Sequence, residues 1–189
     1  MAVADPVVMP LARQLLACLD VEIQKVASPP AHVQLRIGTV VDHLISLAGD
    51  ECCEGLAWVR PAGFYPMGAV FPDQLSAPIK GNKTGAVAWV VQLEMGAIRC
   101  FPTPEPDDLI TGTQWDTVTQ AVMDDAAAMR RALCCMIAEI NEDRPGLGPL
   151  RVLAGIWQPI SNEGGCTGGI LPITIQGPAC DCQDAGPVS

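Results

Sequence analysis

A run of thirty residues, Thr113 to Glu142, restricts this chain more than any other feature. Trp115, Val118, Val122, Ala126, Met129, Leu133, Ile137 and Ile140 recur at spacings of three and four, while Asp116, Gln120, Asp124, Arg130, Arg131 and Glu139 fall off that stripe. The pattern predicts one amphipathic helix of about eight turns. Its stripe must be buried against another layer of secondary structure. At 189 residues the chain has room for one domain with a single substantial core.

The remaining elements supply that layer. Val8, Leu11, Ala12, Leu15, Leu19, Ile23 and Val26 form a second helical stripe over Val7 to Val26, with Asp5-Pro6 as its start signal and Ser28-Pro29-Pro30 as its stop. "HVQLRIG", His32 to Gly38, alternates like a half-buried strand, and "TVVDHLISLAGDE" reads equally as strand or short helix. "EGLAWVRPAG" reads as a strand that Pro61 and Gly63 terminate. Phe64 to Gly85 holds three prolines and two of the three lysines, and is expected as a long loop or contact arm. Ala86 to Phe101, rich in Val, Ile and aromatics, predicts a long strand bent at Gly96. After the long helix, Leu150 to Pro159 and Ile170 to Gln176 predict a hairpin closed by GGCTGG, Gly164 to Gly169.

The fold class expected is therefore α+β, a mainly antiparallel sheet with two long helices on one face. Residues 6–176 are expected to form the folded core, 64–85 the arm and 177–189 a loosely held tail. Ala86–Phe101 and Ile170–Gln176 should share one sheet under the long helix. Trp58, Trp89, Trp115 and Trp157 are expected as core or interface anchors.

Charge narrows the functions. Eleven Lys and Arg against twenty-one Asp and Glu give a net charge of -10, which opposes the cationic contacts that drive nucleic-acid binding. An acidic wall still lets DNA pass without sticking. "LLAC", Leu15 to Cys18, has the form of a lipidation signal, but Asp5 stands where basic residues belong and Arg13-Gln14 interrupt the apolar run, so no export is expected. No apolar run has the length of a membrane span. Nine cysteines, an odd number, leave at least one thiol free. They are expected mostly as small buried hydrophobes in a reducing compartment.

GGCTGG invites a catalytic reading that its surroundings refuse. A hydrolase nucleophile opens a helix and precedes its histidine; Cys166 is followed by the strand pattern "ILPITI", and His32 and His43 both lie upstream. The loop also lacks the Lys-Ser/Thr of a phosphate loop. The cysteines come as Cys52-Cys53, Cys134-Cys135 and Cys180-x-Cys182 rather than as paired C-x-x-C knuckles. Adjacent helical residues point about 100° apart, so Cys134 and Cys135 cannot readily share one ion. A metal cluster of Cys52, Cys53, Cys180 and Cys182 is the weaker alternative to no metal. Asp107-Asp108 and Asp124-Asp125 read as solvated charge. No catalytic residue, cofactor or metal is expected.

The helix "PLARQLLACLDVEIQKV", the segments "GDECCEGLAWVRP" and "VVQLEMGAIRCFP", the helix "DDAAAMRRALCCMI" and the closing "GIWQPISNEGGCTGGILPITI" together resemble the tail-terminator and neck proteins of long-tailed phages, especially those of actinobacterial hosts. The resemblance runs from about Pro6 to Gln176 and rests on element order and local character. It implies a structural virion protein, assembled in the host cytoplasm. It also implies a ring, usually of six copies, that caps the tail tube, stops its polymerisation and docks the head connector or stopper, with genomic DNA passing through the lumen. Subunits would join heterologously through sheet edges and loops. Lys80, Asn82, Lys83, Gly165, Cys166 and Gly168 are the candidate contacts with neighbouring subunits or partners. The alternatives are another connector component, such as the stopper, and a cysteine hydrolase or metal-binding module.

Overall fold

The computed structural model describes residues 5, 7–38, 54–76, 88–102, 109–142, 151–163 and 165–179. Two helices, α1 (Val8–Ile23) and α2 (Gly112–Glu142), lie on a sheet built from β1 (His32–Leu35), β2 (Leu56–Pro66), β3 (Ala88–Cys100), β4 (Val152–Ala154), β5 (Gln158–Glu163) and β6 (Cys166–Ala179). The strand order is β1-β2-β3-β6-β4, with β5 also pairing β6. All pairs are antiparallel except β1–β2. The expected α+β architecture is observed, and β3 and β6 pair directly beneath α2.

Strand alternation sends two residue sets to opposite faces. Ala57, Val59, Val91, Leu93, Met95, Ala97, Leu171, Ile173 and Ile175 face the helices and meet Ala12, Leu15, Cys18, Leu19 and Ile23 of α1 and Ala128, Met129, Ala132 and Met136 of α2. Leu56, Trp58, Ile98 and Cys166 form a smaller cluster on the other face. Each face also carries a forked ion pair. On the helix face Arg99 donates to both carboxylate oxygens of Asp125, at 2.5 Å each, and to the Ser28 carbonyl, tying β3, α2 and the α1–β1 connection together. On the other face Arg60 donates to Glu94 at 2.7 and 2.9 Å and to the Gly38 carbonyl.

Both helix starts have a local cause. Asp5 accepts a hydrogen bond from the Met9 amide in the first turn of α1. Ahead of α2, Thr111 and Gln114 form a reciprocal capping box: the Thr111 hydroxyl accepts from the Gln114 amide and the Gln114 side chain accepts from the Thr111 amide. That box starts the helix at Gly112.

Several expectations are corrected. Pro61 and Gly63 do not end β2, which continues to Pro66 through a register shift between them. β1 pairs β2 only as far as Val59. Beyond it β2 is an edge among the described residues, and a proline and a bulge are tolerated there. Phe64–Pro66 are therefore strand rather than loop. The chain after them turns compactly at 67–76, pinned by Gly68 N–H to Asp73 O, Leu75 N–H to Pro66 O and Tyr65 Oη–H to Pro72 O. The rest of the 64–85 arm lies outside the described residues, as does "TVVDHLISLAGDE". Gly96 is not a bend: β3 pairs both neighbours through it in unbroken register. A Cβ built at Gly96 would overlap the Trp58 indole, so the glycine seats that ring.

GGCTGG is not the turn it resembles. Gly165, at φ 77°, belongs to the turn, but Cys166, Thr167, Gly168 and Gly169 already pair along β6 with β3 and β5. A Cβ at Gly168 would collide with the Ala97 carbonyl, and one at Gly169 with the Trp157 indole. These glycines permit close approach within the sheet. β6 also runs on through Ala179, so residues 177–179 of the expected tail are strand. Residues 180–189 lie outside the described residues. Finally, Trp115 is not core: it is 45% exposed and leans on Phe101, ring centroids 4.8 Å apart.

Candidate functional site

Among the described residues both sheet edges are open, and each carries exposed apolar side chains. β1 bounds one edge, continuing into Ile37, which is 82% exposed. β4 and β5 lie end to end along the other, both pairing with β6, interrupted by Gly155-Ile156-Trp157. From Val152 to Ile160, "VLAGIWQPI" contains no charged residue, and Ile156 is 81% exposed. Proteins ordinarily blunt an exposed edge strand with charge, because its free backbone groups are a template for another chain. Within this stretch the blunting devices are Pro159 and the break at Gly155, and charge stands only at its ends, Arg151 before β4 and Glu163 at the close of β5, among the described residues. Past the end of β3, where Trp115 meets Phe101, the first ten residues of α2, Gly112 to Ala121, contain no buried side chain, and Leu109, Trp115 and Met123 are all exposed.

The contact residues expected from sequence fall in two groups. Lys80, Asn82 and Lys83 lie outside the described residues. Gly165, Cys166 and Gly168 come together at the β5–β6 turn, but Cys166 and Gly168 are buried in the chain's own sheet. Cys166 is 2% exposed and packs with Leu56, Trp58 and Ile98. It is disulfide-bonded, as is Cys100, its register partner on β3, so neither offers a thiol nucleophile. The described cysteines are thus not mostly buried free thiols. Of the five described, only Cys18 is both free and buried; Cys135 is half-buried and Cys134 exposed. His32 bonds Glu54 at 3.0 Å on the surface. His43, Asp107, Asp108 and the proposed cluster of Cys52, Cys53, Cys180 and Cys182 lie outside the described residues. Asp125 is not the solvated charge expected of it but is 2% exposed; burial pushes its carboxyl up, against the pull of Arg99.

A second constellation sits where α1 crosses α2. Gln14, Cys18 and Glu22 form a row at four-residue spacing on α1, and Glu139, Cys135 and Arg131 form the matching row, in reverse order, on α2. Gln14 Nε2 donates to Glu139 at 3.4 Å, and Arg131 Nε donates to Glu22 at 2.8 Å. Between those rungs the Cys18 and Cys135 thiols each donate to a different oxygen of Glu139, at 3.5 Å. The two sulfurs and a carboxylate oxygen all lie within 4.8 Å of one another. Burial, with Cys135 and Glu139 adding to it, pushes the Cys18 thiol far above its ordinary value, so it is protonated at neutral pH. Hydrogen bonds from Gln14 and from the two thiols lower Glu139, and those from Lys25 and Arg131 lower Glu22. A surface groove of about 590 Å³, lined by Glu22, Ala127, Arg130, Arg131, Cys134 and Cys135, opens beside the cluster.

Sequence reasoning missed this cluster because it weighed cysteines by their nearness in the chain. Half of the signal was legible, since Cys135 and Glu139 stand four apart on one helix face. The other half, Cys18, is 121 positions from Glu139 and becomes a neighbour only when the helices pack. No protein-family model matches this chain, and no curated protein matches it.

Proposed function

We propose that the chain is a structural virion protein, a tail terminator whose copies join edge to edge into a ring on the end of a phage tail tube. The observation that carries this reading is the uncharged stretch Val152 to Ile160 of the β4–β5 edge, with β1 at the opposite side of the same sheet, both edges open among the described residues. Two different open edges on one subunit are what a heterologous contact requires, and such a contact closes into a ring when its rotation allows. The exposed start of α2 adds an apolar surface next to the sheet for the neighbouring subunit, the tail tube protein or the head connector.

Three further features support it. The resemblance of the sequence to phage neck proteins, which rests on element order and local character, points the same way. An acidic ring, at -10 per chain, lets genomic DNA pass without binding it. Disulfides such as those at Cys100 and Cys166 persist on virion surfaces, outside the reducing cytoplasm in which assembly would take place. An open sheet under two long helices also suits a terminator better than a stopper, for which a small closed barrel is expected. No catalytic, cofactor or membrane role enters this reading.

The test is electron microscopy of the purified protein, alone and mixed with tail tubes. Closed rings of about six subunits that seat on tube ends and limit tube length are expected. Monomers that leave tube ends bare and tube length unregulated would remove the proposal.

A further inference from the structure

We propose that Cys18, Cys135 and Glu139 form a binding site for one thiophilic divalent cation of the zinc type, clamping α1 to α2. The inference does not depend on the ring. It rests on donor type, spacing and position. Two sulfurs and a carboxylate are a donor set that favours zinc over magnesium or calcium, which take oxygen ligands. Zn–S bonds of about 2.3 Å and Zn–O bonds of about 2.0 Å at a tetrahedral angle put sulfur and oxygen about 3.5 Å apart. The Cys18 and Cys135 sulfurs lie 3.5 Å from different oxygens of Glu139, and one carboxylate oxygen and both sulfurs lie within 4.8 Å of one another. The donors therefore close on an ion by a turn of the Glu139 carboxylate and a small approach of the two sulfurs, and water completes the fourth position.

The surroundings are those of a supported site. Gln14 holds Glu139 from α1, as groups behind a metal ligand hold it in place. The Glu22–Arg131 pair, one helical turn away, fixes the crossing of the two helices from the other side. Cys135 borders the open groove, which gives an ion its route in, while Cys18 closes the inner side of the site. Cys134 points away around the helix and is no ligand.

Binding exchanges protons for metal: one Zn²⁺ enters, both thiols lose a proton to solvent, and the carboxylate is already ionised, so two protons leave per ion. Because both thiols must give up their protons to bind, affinity should fall as pH is lowered, by up to two protons per ion.

Cobalt(II) titration of the full-length protein tests this, since thiolate coordination to Co²⁺ gives a charge-transfer absorption. We expect one Co²⁺ per chain with that absorption, displaced by Zn²⁺ and lost in Cys18→Ser and Cys135→Ser. Cys134→Ser should keep it. Glu139→Gln should retain the absorption but bind at least tenfold more weakly. If burial of Cys18 keeps its variant from folding, the half-buried Cys135 carries the test through thermal stability: Zn²⁺ should raise the Tm of the wild type and leave that of Cys135→Ser unchanged. A wild-type protein without the charge-transfer absorption would overturn the assignment. So would absorption undiminished in Cys135→Ser, or a Cys18–Cys135 disulfide in protein isolated with zinc present.

Discussion

The two halves of α2 carry one apolar periodicity but are held by different things. From Val122 onward the helix is sunk in the core: Ala128, Met129, Ala132 and Met136 are fully buried and Asp125 is gripped by Arg99. From Gly112 to Ala121, a stretch of about 15 Å, its contacts with the described residues outside it are a capping box and the leaning of Trp115 on Phe101. The apolar stripe demands cover along its whole length. Among the described residues the chain's own sheet supplies that cover to the inner part alone.

If this contrast is right, substitutions in the inner half act on folding and those in the outer half on assembly. The largest effect is expected from Asp125→Ala, which leaves the Arg99 guanidinium buried without its partner; a loss of about 3–5 kcal/mol by denaturant unfolding follows from breaking a buried pair on one side. Met136→Ala should cost about 2–5 kcal/mol in the same assay, through lost transfer energy and the cavity left between helix and sheet. Thr111→Ala removes one side of the capping box and should cost about 0.5–2 kcal/mol, seen as faster amide exchange confined to the first turns of α2. Trp115→Ala should cost no more than about 0.5–1.5 kcal/mol, the scale of one aromatic contact, while weakening ring formation. A Met136→Ala variant as stable as Trp115→Ala would erase the contrast between the halves.

The smallest effect concerns pH, at the seam between α1 and α2. Glu22 and Glu139 are both held below the ordinary carboxylate range by hydrogen bonds in the folded state. Their contribution is therefore fully present above the ordinary Glu value and is lost as pH falls through the lowered folded values. Glu139 is exposed and Glu22 is half-buried at the edge of the surface groove, so the change is slight. A double Glu22→Gln, Glu139→Gln variant should lose Tm more gently than the wild type on the acid limb. Identical acid limbs would show that the seam adds nothing to this dependence.

The sequence made some of this legible and hid the rest for definable reasons. Periodicity identified both helices, and Val/Ile enrichment identified β3. Neither could say that the sheet ends beneath Val122, because Trp115 and Val118 continue the same stripe. Pro61 and Gly63 are stop signals for a strand with neighbours on both sides, and among the described residues β2 has only β3 beside it there. Gly168 and Gly169 looked like turn residues because conformational freedom and close approach leave the same mark in a sequence. Only packing against Ala97 and Trp157 separates the two. The thiol cluster was half visible in Cys135 and Glu139, and Cys18 joins them only through a helix crossing that local pattern does not encode.

The uncharged edge from Val152 to Ile160 is the centre of this account, and its most direct test is the mass of the protein in solution before and after that edge is charged. The wild type should form a closed ring of about six subunits, and Ile156→Lys, at a position 81% exposed, should be monomeric with an unchanged Tm. A monomeric wild type, or rings that persist in Ile156→Lys, would contradict it.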